Sequence, residues 1–130
     1  MTDTKKNELK ILIVDDSVLL AKRIQSLFDE MENVCVMGYS LDVRNALFEI
    51  TNKVPDVVLI DVQLPNQEGI DLLRCIRNNF PHMVTIMLTS MADQEYNDIC
   101  LKLGAHFYLD KTIGLENLQP FIGKIQKLVQ

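Results

Sequence analysis

Residues 11–16 read Ile-Leu-Ile-Val-Asp-Asp. Four apolar residues, three of them β-branched, run without alternation and then stop at two carboxylates. An unalternating run of this kind suits a strand covered on both faces, which is the condition of a parallel sheet. The same phrase returns at 57–61 as Val-Val-Leu-Ile-Asp, and a third run at 83–88 stops at Thr89. Three such strands, each closed by a polar residue, set the reading of the whole chain.

Outward from these runs, apolar residues switch to helical spacing. Over 17–31, Leu20, Ile24, Leu27, Phe28 and Met31 fall on one face. Further amphipathic stretches cover 42–52, 69–78, about 92–103 and 115–129, and further strands are expected at 34–39 and 106–109. Pro55 and Pro81 punctuate the chain, Leu64-Pro65-Asn66 reads as a loop, and Gly104 suits a helix C-cap. Pro120 falls in the first turns of the last helix, where its missing N–H does little harm. Five strands alternating with five helices imply an α/β fold, a doubly wound parallel sheet with helices on both faces.

Composition bounds the function. The 130 residues amount to one domain, with 48% hydrophobic residues, 6% aromatic and no Trp, so the core must be built from Ile, Leu, Val, Met and Ala. A net charge of -5 with scattered Lys and Arg argues against a nucleic-acid-binding surface. No run approaches the ~18 apolar residues of a membrane span, and the polar N-terminus lacks a signal peptide's apolar segment, so a cytoplasmic location without membrane insertion is expected. Cys35, Cys75 and Cys100 fit neither a disulfide framework nor a metal cluster and read as small core residues. His82 and His106 read as loop or surface residues.

Position carries the functional signal. Asp15 and Asp16 follow the first strand, Asp61 the third, Thr89 the fourth, and Lys111 comes just after the fifth. In a doubly wound parallel sheet the C-terminal strand ends share one edge, where ligands bind. An Asp after a strand is often only a helix N-cap, a Thr only a turn residue and a Lys only solvated, but these five should meet. Three carboxylates within ~5 Å repel by roughly 3 kcal/mol per pair at an effective dielectric of ~20, so they must protonate or bind a cation. All-oxygen ligands suit Mg²⁺. Formal charges then cancel between three aspartates, a divalent ion and Lys111. A carboxylate can act as nucleophile, and phosphoryl transfer asks mainly for positioning and charge neutralisation.

With Ile-Leu-Ile-Val-Asp-Asp-Ser at 11–17, Pro-Asp-Val-Val-Leu-Ile-Asp at 55–61, Leu-Pro at 64–65 with Gly69, Leu-Thr-Ser at 88–90 and Gly-Ala-His-Phe-Tyr-Leu-Asp-Lys at 104–111, the chain resembles the receiver domain of two-component response regulators. The resemblance implies a CheY-like, flavodoxin-like sandwich with strand order 2-1-3-4-5, one domain over 1–130 with its core at about 9–129, and no output domain. It implies that Asp61 accepts a phosphoryl group from a histidine kinase or histidine phosphotransfer protein, and that the chain is not a turnover enzyme. Asp15, Asp16, Asp61 and the Gln63 backbone carbonyl would hold Mg²⁺ or Mn²⁺. Thr89 and Lys111 would stabilise the phosphoryl group. Thr89 and Tyr108 would form a switch pair that remodels a partner-binding face made by the fourth helix, fifth strand and fifth helix.

The chain departs from the family pattern at two places. Thr112 stands where Pro usually follows the Lys. Gln63 and Met91 occupy two positions that tune phosphoryl lifetime in the family. A Met side chain cannot hold an attacking water by a strong hydrogen bond, so slow self-dephosphorylation is expected. Three rival readings fit less well. An aspartyl-nucleophile phosphatase of the haloacid dehalogenase type needs an Asp where Gln63 stands. A pseudo-receiver would not need the full residue set present here. A dinucleotide-binding domain needs a glycine-rich turn after the first strand.

Overall fold

The computed structural model describes residues 8–89, 94–111 and 118–129. Strands and helices alternate along them: β1 (Leu9–Val14), α1 (Val18–Asp29), β2 (Val34–Ser40), α2 (Val43–Lys53), β3 (Val57–Asp61), a 3-10 turn (Pro65–Gln67), α3 (Glu68–Asn79), β4 (Val84–Thr89), α4 (Gln94–Lys102), β5 (Phe107–Asp110) and α5 (Leu118–Val129). All strand pairs are parallel and the order is β2-β1-β3-β4-β5, as the resemblance implied.

The unalternating runs are explained by two cores. Ile11, Ile13, Leu59 and Leu88 face Ala21, Ile24 and Phe28 of α1 and Leu118, Ile122 and Ile125 of α5. Leu12, Val14, Val58, Ile60 and Met87 face Ala46 and Ile50 of α2, Leu72, Leu73 and Ile76 of α3, and Cys100 of α4. Successive strand side chains point to opposite faces, so each central strand serves both cores and has no polar side to spare. At the sheet's edges the pattern loosens. β2 carries a register shift near Gly38, and all four residues of β5 are only partly buried.

Helix starts follow local chemistry. Ser17 caps α1, its hydroxyl accepting the Leu20 N–H at 3.2 Å, so Asp16 is not the cap. Asp42 caps α2 in the same way through Asn45 N–H. Gly104 closes α4 at φ 102°, as expected of a C-terminal glycine.

Several expectations need correction. The loop at 64–66 is a 3-10 turn, and α3 begins at Glu68, one residue before the expected start. Only Cys100 lies in the core. Cys35 is exposed on edge strand β2, and Cys75 is intermediate on α3. His106 is half-buried and bonded to β4, so it is no surface residue. The expected helix starts at 92 and 115 lie outside the described residues. So do Met91, Thr112 and the Lys111–Thr112 bond.

Val54, the C-cap of α2, sits in the left-handed region at φ 46° and ψ 70°, immediately before Pro55. Left-handed backbone crowds Cβ against the following carbonyl, and a β-branched residue pays most. The side chain is 56% exposed, so little packing offsets the strain. Val54→Asn, which tolerates this conformation, should raise the unfolding free energy by about 0.5–1 kcal/mol in urea titrations. An unchanged or lower midpoint would contradict the strain argument.

Candidate functional site

The carboxyl edge of the sheet gathers the expected residues. β1 ends at Val14, placing Asp15 and Asp16 just beyond it, while Asp61 and Thr89 are the last residues of β3 and β4, and Lys111 follows β5. Ligand oxygens of Asp15, Asp16 and Asp61 lie within 4.8 Å of one another. Asp15 and Asp61 are buried, whereas Asp16 is exposed.

Lys111 reaches into this cluster. Its Nζ lies 2.8 Å from Asp15 Oδ2 and 3.2 Å from Asp61 Oδ1, and its side chain is only 8% exposed. Lys111 is held in turn by its own N–H, which donates to the Thr89 carbonyl. One cation from β5 therefore bridges the acids of β1 and β3 across the intervening β4.

Each buried carboxylate is also fixed by local backbone. Asp15 Oδ1 accepts the Ser17 N–H, and Asp61 Oδ1 accepts the Gln63 N–H, both at 2.9 Å. A side-chain oxygen bonded two residues on is an Asx turn. These amide donors escaped the sequence reading, although an Asp at a strand end before a turn is the signal that would find them.

Behind Asp61 stands Gly69. A Cβ at Gly69 would collide with the Asp61 carbonyl oxygen and lie 3.2 Å from its carbonyl carbon. Only glycine lets α3 begin this close to the acidic edge. The chain reaches it through Asn66 and Gln67, both left-handed at φ 59° and 61°.

Burial pushes the Asp61 carboxyl above its ordinary value, and the Asp15 charge pushes the same way. The Gln63 N–H and Lys111 oppose them. Desolvation is the largest of these effects, so the direction is upward despite the ion pair. A group bound more tightly to its proton when folded stabilises fully below its unfolded value. That stability is lost as pH rises through the folded value. An ionised Asp61 is thus a cost at neutral pH.

The remaining expected residues fall as follows. Thr89 is buried, one position beyond the β3–β4 pair Asp61–Leu88. Tyr108 pairs with Met87 on the adjoining strand and packs against the α2–α3–α4 core, its hydroxyl buried. Strand alternation puts Thr89 and Met87 on that same face. Gln63 is exposed. Neither histidine joins the site.

Three hard carboxylates in reach of one point fit a divalent cation such as Mg²⁺, which accepts few protein ligands and retains waters. A cation there would relieve the charge that Lys111 alone only partly offsets.

Comparison with known proteins agrees with this fold. The family model for the response regulator receiver domain matches residues 11–122. A protein-glutamate methylesterase/protein-glutamine glutaminase of Trichodesmium erythraeum is 29% identical over 92% of this chain, which spans 35% of that protein. The uncharacterized transcriptional regulatory protein YhcZ of Bacillus subtilis is 33% identical over 85% of the chain, covering 51% of its own length. The chain thus spans between about a third and a half of these two relatives. Among solved structures, the Francisella response regulator 1452 receiver domain superposes with TM-score 0.84 at 28% identity, covering 95% of this chain and all of that one. The response regulator domain of Thermotoga maritima CheB superposes with TM-score 0.80 at 25% identity, covering 94% and 96%.

Two outcomes are expected. Gly69→Ala should destabilise the protein by about 1–3 kcal/mol in chemical denaturation, because α3 must move off Asp61; a loss within experimental error would show that the close approach is dispensable. In metal-free protein, Asp61→Asn should be more stable than wild type at neutral pH, with the gap closing toward about pH 4. A gap that is absent at neutral pH would show that Lys111 fully compensates the buried charge.

Proposed function

The chain belongs to the response regulator receiver domain family, and from that premise we propose that Asp61 accepts a phosphoryl group from a phosphohistidine donor. The donor would be a sensor histidine kinase or a histidine phosphotransfer protein. The observation that carries the reading is Asp61 itself: a buried carboxylate, paired with Lys111 and within 4.8 Å of two further acids, on the ligand-binding edge of the sheet.

In the transfer, an Asp61 carboxylate oxygen attacks phosphorus. The P–N bond of the donor breaks, and the imidazole leaves with the electron pair and takes a proton. The product is an acyl phosphate on Asp61. The Gln63 N–H fixes one oxygen of Asp61 and so aims the other. Asp15, immobilised by Ser17 N–H and Lys111, orients the ammonium group. Lys111 then neutralises a phosphoryl oxygen, and the Thr89 hydroxyl donates to another. Asp16, Asp61 and the Gln63 carbonyl would hold Mg²⁺ or Mn²⁺, with Asp15 assisting through water, and the bound ion supplies charge neutralisation to the phosphoryl group.

Thr89 and Tyr108 lie on adjacent strands, with Tyr108 paired to Met87 two residues before Thr89 on the same face, which suits a switch pair. As the Thr89 hydroxyl turns to the phosphoryl group, the Tyr108 ring takes up the space behind it. The face of α4, β5 and α5 then has two forms, and a protein partner that prefers one reads the signal. Met91 lies outside the described residues. The slow hydrolysis proposed for it rests on the chemistry of its side chain alone.

Incubation with acetyl phosphate and Mg²⁺ should add one phosphoryl group, located at Asp61 by mass spectrometry, and Asp61→Asn should abolish it. Wild-type protein that remains unmodified would overturn the reading in favour of a pseudo-receiver, an interaction module that never uses the pocket.

A further inference from the structure

β5 is an edge strand of four residues, none fully buried. One backbone bond and one side chain fasten its beginning. His106, immediately before the strand, donates its backbone N–H to the Thr85 carbonyl at 3.0 Å. Its ring returns the bond, Nδ1 accepting the Thr85 N–H at 3.1 Å, with the Thr85 hydroxyl 3.3 Å away. Thr85 is fully buried in β4. The imidazole thus occupies a place in the β4–β5 ladder that a backbone carbonyl would ordinarily take.

A backbone N–H has one polarity, so this bond exists only while Nδ1 carries a lone pair. Protonation would set two N–H groups against each other and leave a buried amide without an acceptor. The surroundings disfavour the charged ring as well. Burial and the Arg77 guanidinium hold the imidazole below its ordinary range. Arg77 comes from α3, and its Nη1 donates to the Pro81 carbonyl at 3.0 Å, which keeps it in place. The Arg77 Nε lies 2.9 Å from where a Cβ on Gly104 would stand, so the guanidinium packs on the α4–β5 turn. Facing the ring, β4 contributes uncharged Thr85. Arg77 is the charge whose field reaches it.

We infer that His106 is a proton-sensitive latch: the neutral ring fastens the start of β5 to Thr85, and protonation releases it. The sign follows from linkage. A histidine harder to protonate when folded leaves stability intact above about pH 6.5, its ordinary value, and that stability is lost as pH falls through the lower folded value. The loss falls on β5, which carries Tyr108 two residues after the latch and leads into Lys111. Acidification therefore loosens the strand that presents the proposed switch face. That consequence rests on the receiver reading; the latch itself does not.

The test needs no phosphorylation to begin. The His106 imidazole is titrated by NMR in the full chain, alongside amide hydrogen exchange of Thr85 and residues 107–110, corrected for intrinsic exchange rates. Expected are a midpoint below about 6.5 and a several-fold loss of protection in these amides as the ring protonates. In His106→Asn, whose Oδ1 can accept the same N–H without titrating, protection should not vary over that range. A normal or raised midpoint, or equal pH dependence in both proteins, would overturn the latch, and the wild-type titration decides this even where the variant folds poorly. Repeating the titration with beryllofluoride and Mg²⁺ tests the coupling. A shifted His106 midpoint supports it, whereas an unshifted midpoint in beryllofluoride-bound protein overturns it. Failure to bind beryllofluoride would count against the receiver reading and leave the latch standing.

Discussion

Two buried carboxylates, Asp15 and Asp61, stand side by side at the end of a sheet whose central strands are mostly apolar, and the structure depends on what keeps them there. Burial pushes the Asp61 carboxyl above its ordinary value, so its charge is held at a cost. Lys111 offsets part of that cost, but it can do so only if β5 ends level with β1 and β3. The strand order puts β4 between acid and base, so the ion pairs tie three strands across a fourth. Fold and site are therefore one requirement: any slip in register would strand a charge in an apolar interior.

The site was legible because its residues terminate strands that are themselves unambiguous. Ile11–Val14 and Val57–Ile60 can be nothing but doubly covered strands, and the polar residue closing each run must then lie on the common edge. The topology that makes Asp15 and Lys111 neighbours was carried by resemblance, since no local pattern encodes strand order. Lys111 was placed correctly even though β5 is a weak strand, because one residue of error at the boundary does not move a flexible side chain away from the acids.

What the sequence hid depends on contacts between distant segments or on backbone geometry. Gly69 could be seen as part of a motif, but its reason is the Asp61 carbonyl against α3, which no local pattern contains. Val54 takes a conformation its side chain disfavours, so propensity pointed the wrong way. Cys35 looked like a core residue by type, yet it is exposed on edge strand β2. His106 lies in the loop before β5, as expected, but its acceptor nitrogen bonds a buried β4 amide, a role visible only once β4 lies beside it.

These features divide the sheet by stiffness. β3 and β4 are buried along their whole length and are locked by their neighbours on both sides. β5 has one neighbour, partial burial, and a start held by one backbone bond and an imidazole. Local opening free energies follow such differences. A signalling surface needs two states separated by a few kcal/mol, a gap that a fully packed strand could not offer. The acids belong on the rigid strands, since the proposed phosphoryl transfer would tolerate little misplacement. The cation that answers them, and the tyrosine beside it, belong on the loose one. Whatever alters the charge around Lys111 is then felt first by the strand that costs least to move.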